Sequence, residues 1–168
     1  MVCRMGRILI TYATRSGSTA DVANILAGGL RDQGHDVVVA DARENPSAEG
    51  YELVLAGSGI NAGLWFAEAT NWLQRNAAVL EGRTALFNVC LGAVDPAKRN
   101  ETLAYNDLAA RIVEPLNQNS FAGRYVPAQV GFLKRLFLRS LRTQPQDHVD
   151  PDAIRAWADE LSGLVPAA

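Results

Sequence analysis

The sequence predicts an α/β protein built on a doubly wound, five-stranded parallel sheet. Short apolar runs alternate with longer stretches in which apolar residues recur at helical spacing, which is the order expected of β-α-β units. Most of the short runs also lack the strict polar alternation of a strand with one face in water, as is typical of strands covered by helices on both faces. No repeat or linker interrupts the pattern, so we expect a single domain over residues 1–168.

The predicted strands are five runs rich in branched aliphatic and aromatic residues. They span residues 7–12, 36–40, 51–56, 83–89 and 124–130. Parallel strands need crossover connections, which are right-handed in nearly all proteins. In such sheets, ligands bind beyond the carboxyl ends of the strands, near the point at which the strand order reverses. A functional site is therefore expected in the loops after the first, third and fourth strands.

Four helices are predicted from one-sided apolar spacing. Their apolar faces are Val22, Leu26 and Leu30; Phe66, Ala69, Leu73, Ala77 and Leu80; Tyr105, Leu108, Ala109, Ile112 and Leu116; and Ile154, Trp157, Ala158 and Leu161. The last helix has the clearest start, because Asp150 can cap its first amides and Pro151 suits its first turn.

The loop after the first strand has the features of a phosphate-binding turn. Its residues are Thr14, Arg15, Ser16, Gly17, Ser18 and Thr19. It offers backbone amides at a helix N-terminus, the hydroxyls of Thr14, Ser16 and Thr19, and one glycine that lets the chain curl tightly. It lacks the lysine-containing loop of nucleoside-triphosphate enzymes and the three-glycine fingerprint of dinucleotide-binding folds. A single terminal phosphate fits best, and an ordinary hydroxyl-rich helix cap is the alternative.

The loop after the third strand is rich in glycine and ends in an aromatic pair. Gly57, Gly59 and Gly63 would let a flat ligand lie against the backbone, and Trp65 could supply an aromatic surface at the rim. Trp65 fits the core equally well, and Phe66 fits the apolar face of the next helix. The binding residues expected in this loop are Ser58, Gly59, Ile60, Asn61, Gly63 and Trp65.

The loop after the fourth strand could present amides and carbonyls to the edge of a heterocycle. It begins with Asn88, Val89, Cys90, Leu91 and Gly92. We interpret Cys90 as a small apolar wall residue rather than a nucleophile. The Cys-x5-Arg spacing of a phosphatase loop is absent, and no histidine is near in sequence.

Together, these three loops resemble the FMN-binding loops of the flavodoxin superfamily, and the likeness covers the whole chain. The resemblance implies a flavodoxin-like strand order 2-1-3-4-5, the FMN phosphate in the first loop, and the isoalloxazine ring between the second and third. Within the superfamily, the segments YATRSGST, GSGINAG, DPAKRNET and FLKRLFLRSL look most like the menaquinone-dependent protoporphyrinogen dehydrogenases of bacterial haem synthesis.

That likeness implies an FMN-dependent oxidoreductase that oxidises protoporphyrinogen IX with a quinone acceptor. No catalytic side chain is assigned, because a flavin itself accepts hydride or single electrons. Two alternatives stay open: a flavodoxin-like electron carrier, and a flavodoxin-fold binding domain without flavin. Acidic surface near the flavin would favour the carrier. The loop after the fourth strand instead holds Lys98 and Arg99, balanced by Asp95 and Glu101, which favours the enzyme.

Composition argues against several other classes of protein. The chain has 16 Lys and Arg against 18 Asp and Glu, a formal net charge of -2, which gives no global attraction to nucleic acid. His35 and His148 lie far apart with no carboxylate or thiol at ligand spacing, so no metal site is expected. Two cysteines, no signal-peptide pattern and no apolar run of about 18 residues favour a cytoplasmic protein.

The segment over residues 130–144 is locally basic and amphipathic. One helical face holds Leu133, Leu136, Phe137 and Leu141. The cations are Lys134, Arg135, Arg139 and Arg142. Such a helix is typical of elements that lie on an anionic membrane surface, so we predict peripheral contact with the inner face of the membrane. The alternative is a helix that buries its leucines against the sheet.

Overall fold

The computed structural model describes residues 5–125 and 146–166. Its main strands are β1 (Arg7–Ala13), β2 (Asp36–Asp41), β3 (Leu53–Asn61), β4 (Leu64–Trp65), β5 (Thr84–Cys90) and β6 (Asn117–Ala122). The parallel strands lie in the order β2-β1-β3-β5-β6, and β4 pairs antiparallel with the end of β3. The predicted order 2-1-3-4-5 of a flavodoxin-like sheet is confirmed.

Helices cover both faces of this sheet. They are α1 (Ser18–Asp32), α2 (Ala67–Leu80), α3 (Arg99–Ala104), α4 (Asp107–Ile112) and α5 (Pro151–Ser162). On one face, α1 and α5 pack together over Ile8 and Ile10, and on the other, α2 and α4 pack over Leu9. Successive residues of β1 thus enter opposite cores, which is why its sequence shows no polar alternation.

The fifth parallel strand does not lie where the sequence predicts it. Among the described residues, the sheet ends with β6, whereas the start of the predicted strand forms β7 (Arg124–Tyr125), which pairs antiparallel with β8 (Gln146–Asp147). The rest of that prediction, residues 126–130, lies outside the described residues. Within β6 only Phe121 is buried. β6 is an edge strand and is rich in polar residues. A search for apolar runs detects buried central strands but does not detect a strand of this kind.

The single helix predicted around Tyr105 and Leu116 is also wrong. The structure has two short helices, α3 and α4, with Tyr105 and Asn106 between them. Leu108 and Leu116 are 50% and 47% exposed, so neither completes an apolar face. The side chain of Asn106 is instead fully buried.

His35 connects the start of the sheet to the last helix. Its Nδ1 accepts a hydrogen bond from the Gly6 amide at 3.2 Å, and its Nε2 lies 2.7 Å from the Ser162 hydroxyl. Because Nδ1 accepts, the neutral ring carries its proton on Nε2 and donates it to Ser162. Burial lowers the pKa of His35 below its ordinary value.

We predict that the chain loses stability on mild acidification through His35. Its pKa in the folded protein lies below the unfolded value of about 6.5. As the pH falls below about 6.5, protonation of His35 therefore favours the unfolded chain. Above that pH, the full contribution of neutral His35 to the unfolding free energy is present. Urea unfolding at about pH 7.5 and about pH 5 measures the effect. The wild type should lose more unfolding free energy than His35→Asn, which keeps an acceptor but does not titrate, and equal losses would contradict this account.

Candidate functional site

The three predicted loops meet at the carboxyl edge of the sheet. Ala13 at the end of β1 is paired with Ser58, and Gly59 is paired with Val89. The neighbouring strand β6 ends beside Cys90. The expected site residues therefore lie close together, although several of them point into the protein.

The first loop leads into a helix N-terminus without a side-chain cap. Gly17 precedes α1 with a φ of 87°, and no side chain among the described residues caps this helix. By contrast, α5 is capped by Asp150, which accepts hydrogen bonds from the amides of Asp152 and Ala153. The alternative of a hydroxyl-capped helix is wrong, and the first amides of α1 are available to an anion.

The hydroxyls of the first loop bond within the loop. Thr14 Oγ1 accepts the Gly17 amide at 3.0 Å, and the hydroxyls of Ser16 and Ser18 lie 3.0 Å apart. Thr14 and Ser16 are half-buried, while Ser18 and Thr19 are buried. These bonds hold the turn that presents the helix amides, which suits a group of the size and charge of a phosphate.

Two ion pairs flank this loop. Arg15 Nη2 lies 2.5 Å from Glu68 Oε1, and its guanidinium lies 4.4 Å from the centre of the Phe66 ring. The amide of Glu68 itself, together with Arg15, holds the pKa of that carboxyl below its usual range. Arg124 pairs with Asp21 in the first turn of α1. Both cations are matched by a carboxylate, so the amides remain the anion-binding groups.

The second loop is a β-hairpin. β3 continues to Asn61 and turns through Ala62 and Gly63, whose φ angles are 51° and 79°, into β4. Two residues with positive φ give the type I′ turn favoured in two-residue hairpins. Asn61 is exposed at the tip, Ile60 is half-buried, and a Cβ built on Gly63 would lie 3.7 Å from the Tyr105 ring.

Two glycines of the second loop allow close packing of side chains against the end of β3. A Cβ built on Gly57 would lie 2.1 Å from the Phe87 ring, and one on Gly59 would lie 2.9 Å from Phe66 Cε2 and 3.3 Å from Thr19 Oγ1. Both positions are therefore filled by protein side chains. The expectation that the backbone of these glycines lies against a flat ligand stays a prediction.

Ser58 closes the base of the hairpin. The side chain is fully buried. Its Oγ accepts the Phe66 amide at 2.9 Å and donates to the Gly59 carbonyl at 2.7 Å. Ser58 thus shapes the second loop from inside and does not face outward.

A buried amide network joins the second and third loops. Asn106 Oδ1 accepts hydrogen bonds from Trp65 Nε1 at 3.1 Å and from Asn88 Nδ2 at 2.9 Å. Asn88 also donates to the Thr102 carbonyl and accepts the Ser120 hydroxyl, each at 2.8 Å. Trp65 is 6% exposed, so the structure supports its core interpretation over a place at the rim. The Asn88 side chain is likewise committed to the protein.

The third loop becomes accessible only at Cys90. Val89 is buried, Cys90 is half-buried, and Leu91 and Gly92 open a 3₁₀ turn in which Leu91 is 46% exposed. Burial raises the pKa of the Cys90 thiol, and its Sγ lies 3.9 Å from Ser120 Oγ. A neutral thiol of this kind is a poor nucleophile, in keeping with its interpretation as a wall residue.

The accessible parts of the second and third loops carry exposed aliphatic side chains. Leu64 in the hairpin is 58% exposed, and Leu91 and Val94 in the third loop are each 46% exposed. Exposed apolar groups on these two loops suit a flat, partly apolar ring system.

Sequence reasoning missed Gly123, which links β6 to β7. A Cβ built there would lie 3.1 Å from Val89 Cγ1 and 3.3 Å from Ser18 Oγ, and its amide donates to the Cys90 carbonyl at 3.2 Å. The end of β6 thus lies directly against the first loop. In the sequence, a single glycine before the wrongly predicted fifth strand gives no indication of this contact.

Comparison with known proteins identifies a family and one group of relatives. The model of the flavodoxin domain family matches residues 9–152. The chain is 31% identical over 96 residues to the protoporphyrinogen IX dehydrogenase [quinone] of Escherichia coli strain K12, a match over 55% of this chain and 53% of that protein. The chain thus spans about half the length of the curated relatives it matches.

Solved structures share the fold over nearly the whole chain. Oxidised flavodoxin 1 from Bacillus cereus has a TM-score of 0.58 at 15% identity, over 94% of this chain and 97% of that chain. A short-chain flavodoxin associated with a non-canonical PDU bacterial microcompartment has a TM-score of 0.62 at 11% identity, over 96% and 100%. At such identities the likeness establishes a flavodoxin-like α/β fold.

We predict that Trp65→Phe lowers the free energy of unfolding by about 1–2 kcal/mol, because Asn106 loses one of its two buried donors. Flavin fluorescence of the FMN-loaded protein should change no more than in Trp72→Phe. Trp72 is a matched control, since its indole lies in the same core and donates to the Pro46 carbonyl. Urea unfolding and flavin emission measure the two effects. A rise in emission specific to Trp65→Phe would show that this indole lies against the ring.

Proposed function

Because the chain belongs to the flavodoxin domain family, we propose that it is an FMN-binding oxidoreductase that oxidises protoporphyrinogen IX with a quinone as electron acceptor. The single observation that supports cofactor binding most strongly is the uncapped N-terminus of α1 behind the left-handed Gly17. The likeness to the enzyme of Escherichia coli supports the substrate and the acceptor. A single-domain organisation over residues 1–168 belongs to the same proposal.

The residues present fit FMN. The phosphate would be held by the first amides of α1 and the hydroxyls of Thr14, Ser16 and Thr19, and the ring by the accessible parts of the second and third loops. Bound FMN supplies transfer of hydride or single electrons. The protein positions it: the buried network under both loops fixes their shape, and loop amides near Gly59 and Leu91 are the groups that would tune the ring.

A second candidate function is a flavodoxin-like electron carrier. The observation that favours it is the share of the chain over which the proteins match. Solved flavodoxins share the fold over nearly the whole chain, whereas the match to the dehydrogenase spans about half of it. The charges near the third loop favour the enzyme, since the exposed Lys98 and Arg99 offset Asp95 and Glu101. A flavin-free binding domain is the third possibility.

Anaerobic turnover tests the enzyme directly. We expect the FMN-loaded protein to oxidise protoporphyrinogen IX in the presence of a menaquinone analogue, and to stop when the quinone is omitted. Gly17→Ala should reduce turnover by weakening FMN binding, since alanine at a φ of 87° is strained by about 1–2 kcal/mol. Gly28→Ala is the matched control, because a Cβ there meets no atom within 4 Å.

The outcomes separate the candidates. A protein that holds FMN and exchanges electrons with a reductase, but leaves the porphyrinogen unchanged, would be a carrier. A protein that retains no flavin would be a binding domain.

We also propose peripheral binding to anionic membrane through Lys134, Arg135, Arg139 and Arg142, which lie outside the described residues. None of the helices in the described part of the chain is long and apolar enough to cross a bilayer. A lipid-soluble quinone would meet the flavin most readily at the membrane surface.

Co-sedimentation with vesicles tests this proposal. The protein should pellet with anionic vesicles at low salt and be released at high salt, because each cation near the surface contributes about 1 kcal/mol. Changing Arg135, Arg139 and Arg142 to Gln should abolish pelleting. A wild type that stays in the supernatant under all conditions would contradict the proposal.

A further inference from the structure

An ion pair lies on the helix that carries the first loop. Arg124 Nη2 donates to Asp21 Oδ2, and the two side chains are 26% and 42% exposed. Asp21 belongs to the first turn of α1, where its amide donates to the Gly17 carbonyl at 3.1 Å. A carboxylate therefore lies within one helical turn of the uncapped amides.

The backbone next to Arg124 contacts the same loop. A Cβ built on Gly123 would lie 3.3 Å from Ser18 Oγ, so Arg124 follows a residue that lies directly against the helix N-terminus. The Nε of Arg124 is buried and has no hydrogen-bond partner among the described residues. Asp21 thus uses only part of the hydrogen-bonding capacity of this guanidinium.

We propose that Arg124 sets the affinity of the first loop for phosphate by neutralising Asp21. A carboxylate at a helix N-terminus interacts with the same positive end of the helix dipole that attracts an anionic ligand, and it repels that ligand. Pairing with Arg124 removes the repulsion while leaving the amides free. Arg124 is a positioning residue that acts through Asp21, and the inference rests on the proposed binding of FMN.

The charges predict opposite effects for the two partners. Arg124→Gln leaves the Asp21 charge unmatched and should weaken FMN binding about fivefold. Asp21→Asn leaves the Arg124 charge unmatched and should strengthen FMN binding by about the same factor. The double variant should return close to the wild type, and all of these differences should shrink at high salt.

Fluorescence titration of the apoproteins with FMN and with riboflavin measures these effects. Riboflavin has no phosphate, so its affinity should be the same in all four proteins. Arg155→Gln is a matched control: Arg155 pairs with Asp152 in the first turn of α5 at 4.0 Å. A Cβ built on Gly29 of α1, about three turns from Ser18, would lie 3.7 Å from Arg155 Cγ. This variant should leave FMN affinity unchanged.

A purely structural role for the pair gives a different pattern. The proposal is overturned if both single variants weaken FMN binding, or if riboflavin affinity changes as much as FMN affinity. Either result would mean that the ion pair only stabilises the fold. If the wild type binds neither flavin, the proposed function fails instead.

Inorganic phosphate tests the pair independently of flavin. It should raise the unfolding temperature of the Asp21→Asn apoprotein more than that of Arg124→Gln, and equal shifts in the two variants would overturn the inference.

Discussion

Two buried asparagines, Asn88 and Asn106, hold the carboxyl edge of the sheet together. Their side chains are fully buried, and each unsatisfied polar group there would cost about 1–3 kcal/mol. The surrounding structure must therefore supply partners, and it does so from Trp65, Ser120 and the backbone of α3 and β6. This requirement fixes β4, β5, β6 and α3 relative to one another.

Several irregular features follow from that constraint. The gap between α3 and α4 allows Asn106 to enter the core, and the polar face of β6 supplies Ser120 to the network. Trp65 is buried in the core, where its indole donates a hydrogen bond to Asn106. Above the network, the second and third loops expose the aliphatic side chains of Leu64, Leu91 and Val94, so the polar groups that fix these loops lie beneath an accessible, partly apolar surface.

The sequence predicted those parts of the fold that have strong local signals. The central strands and the capped start of α5 fall where periodicity and Asp150 place them, and the first loop has the glycine that its left-handed turn requires. Prediction failed where tertiary contacts decide the structure. β6 is an edge strand with polar residues, and its Ser120 donates to the buried Asn88. Gly57 and Gly59 are small because aromatic rings from other elements fill the space beside them, and neither cause is visible in local sequence.

We propose above all that the uncapped N-terminus of α1 binds the phosphate of FMN. Titration of the apoprotein with FMN and with riboflavin, followed by visible absorption of the flavin, tests it most directly. We expect a saturable one-to-one change in the spectrum, with FMN bound more tightly than riboflavin. Equal affinity for the two, or no change in either spectrum, would contradict it.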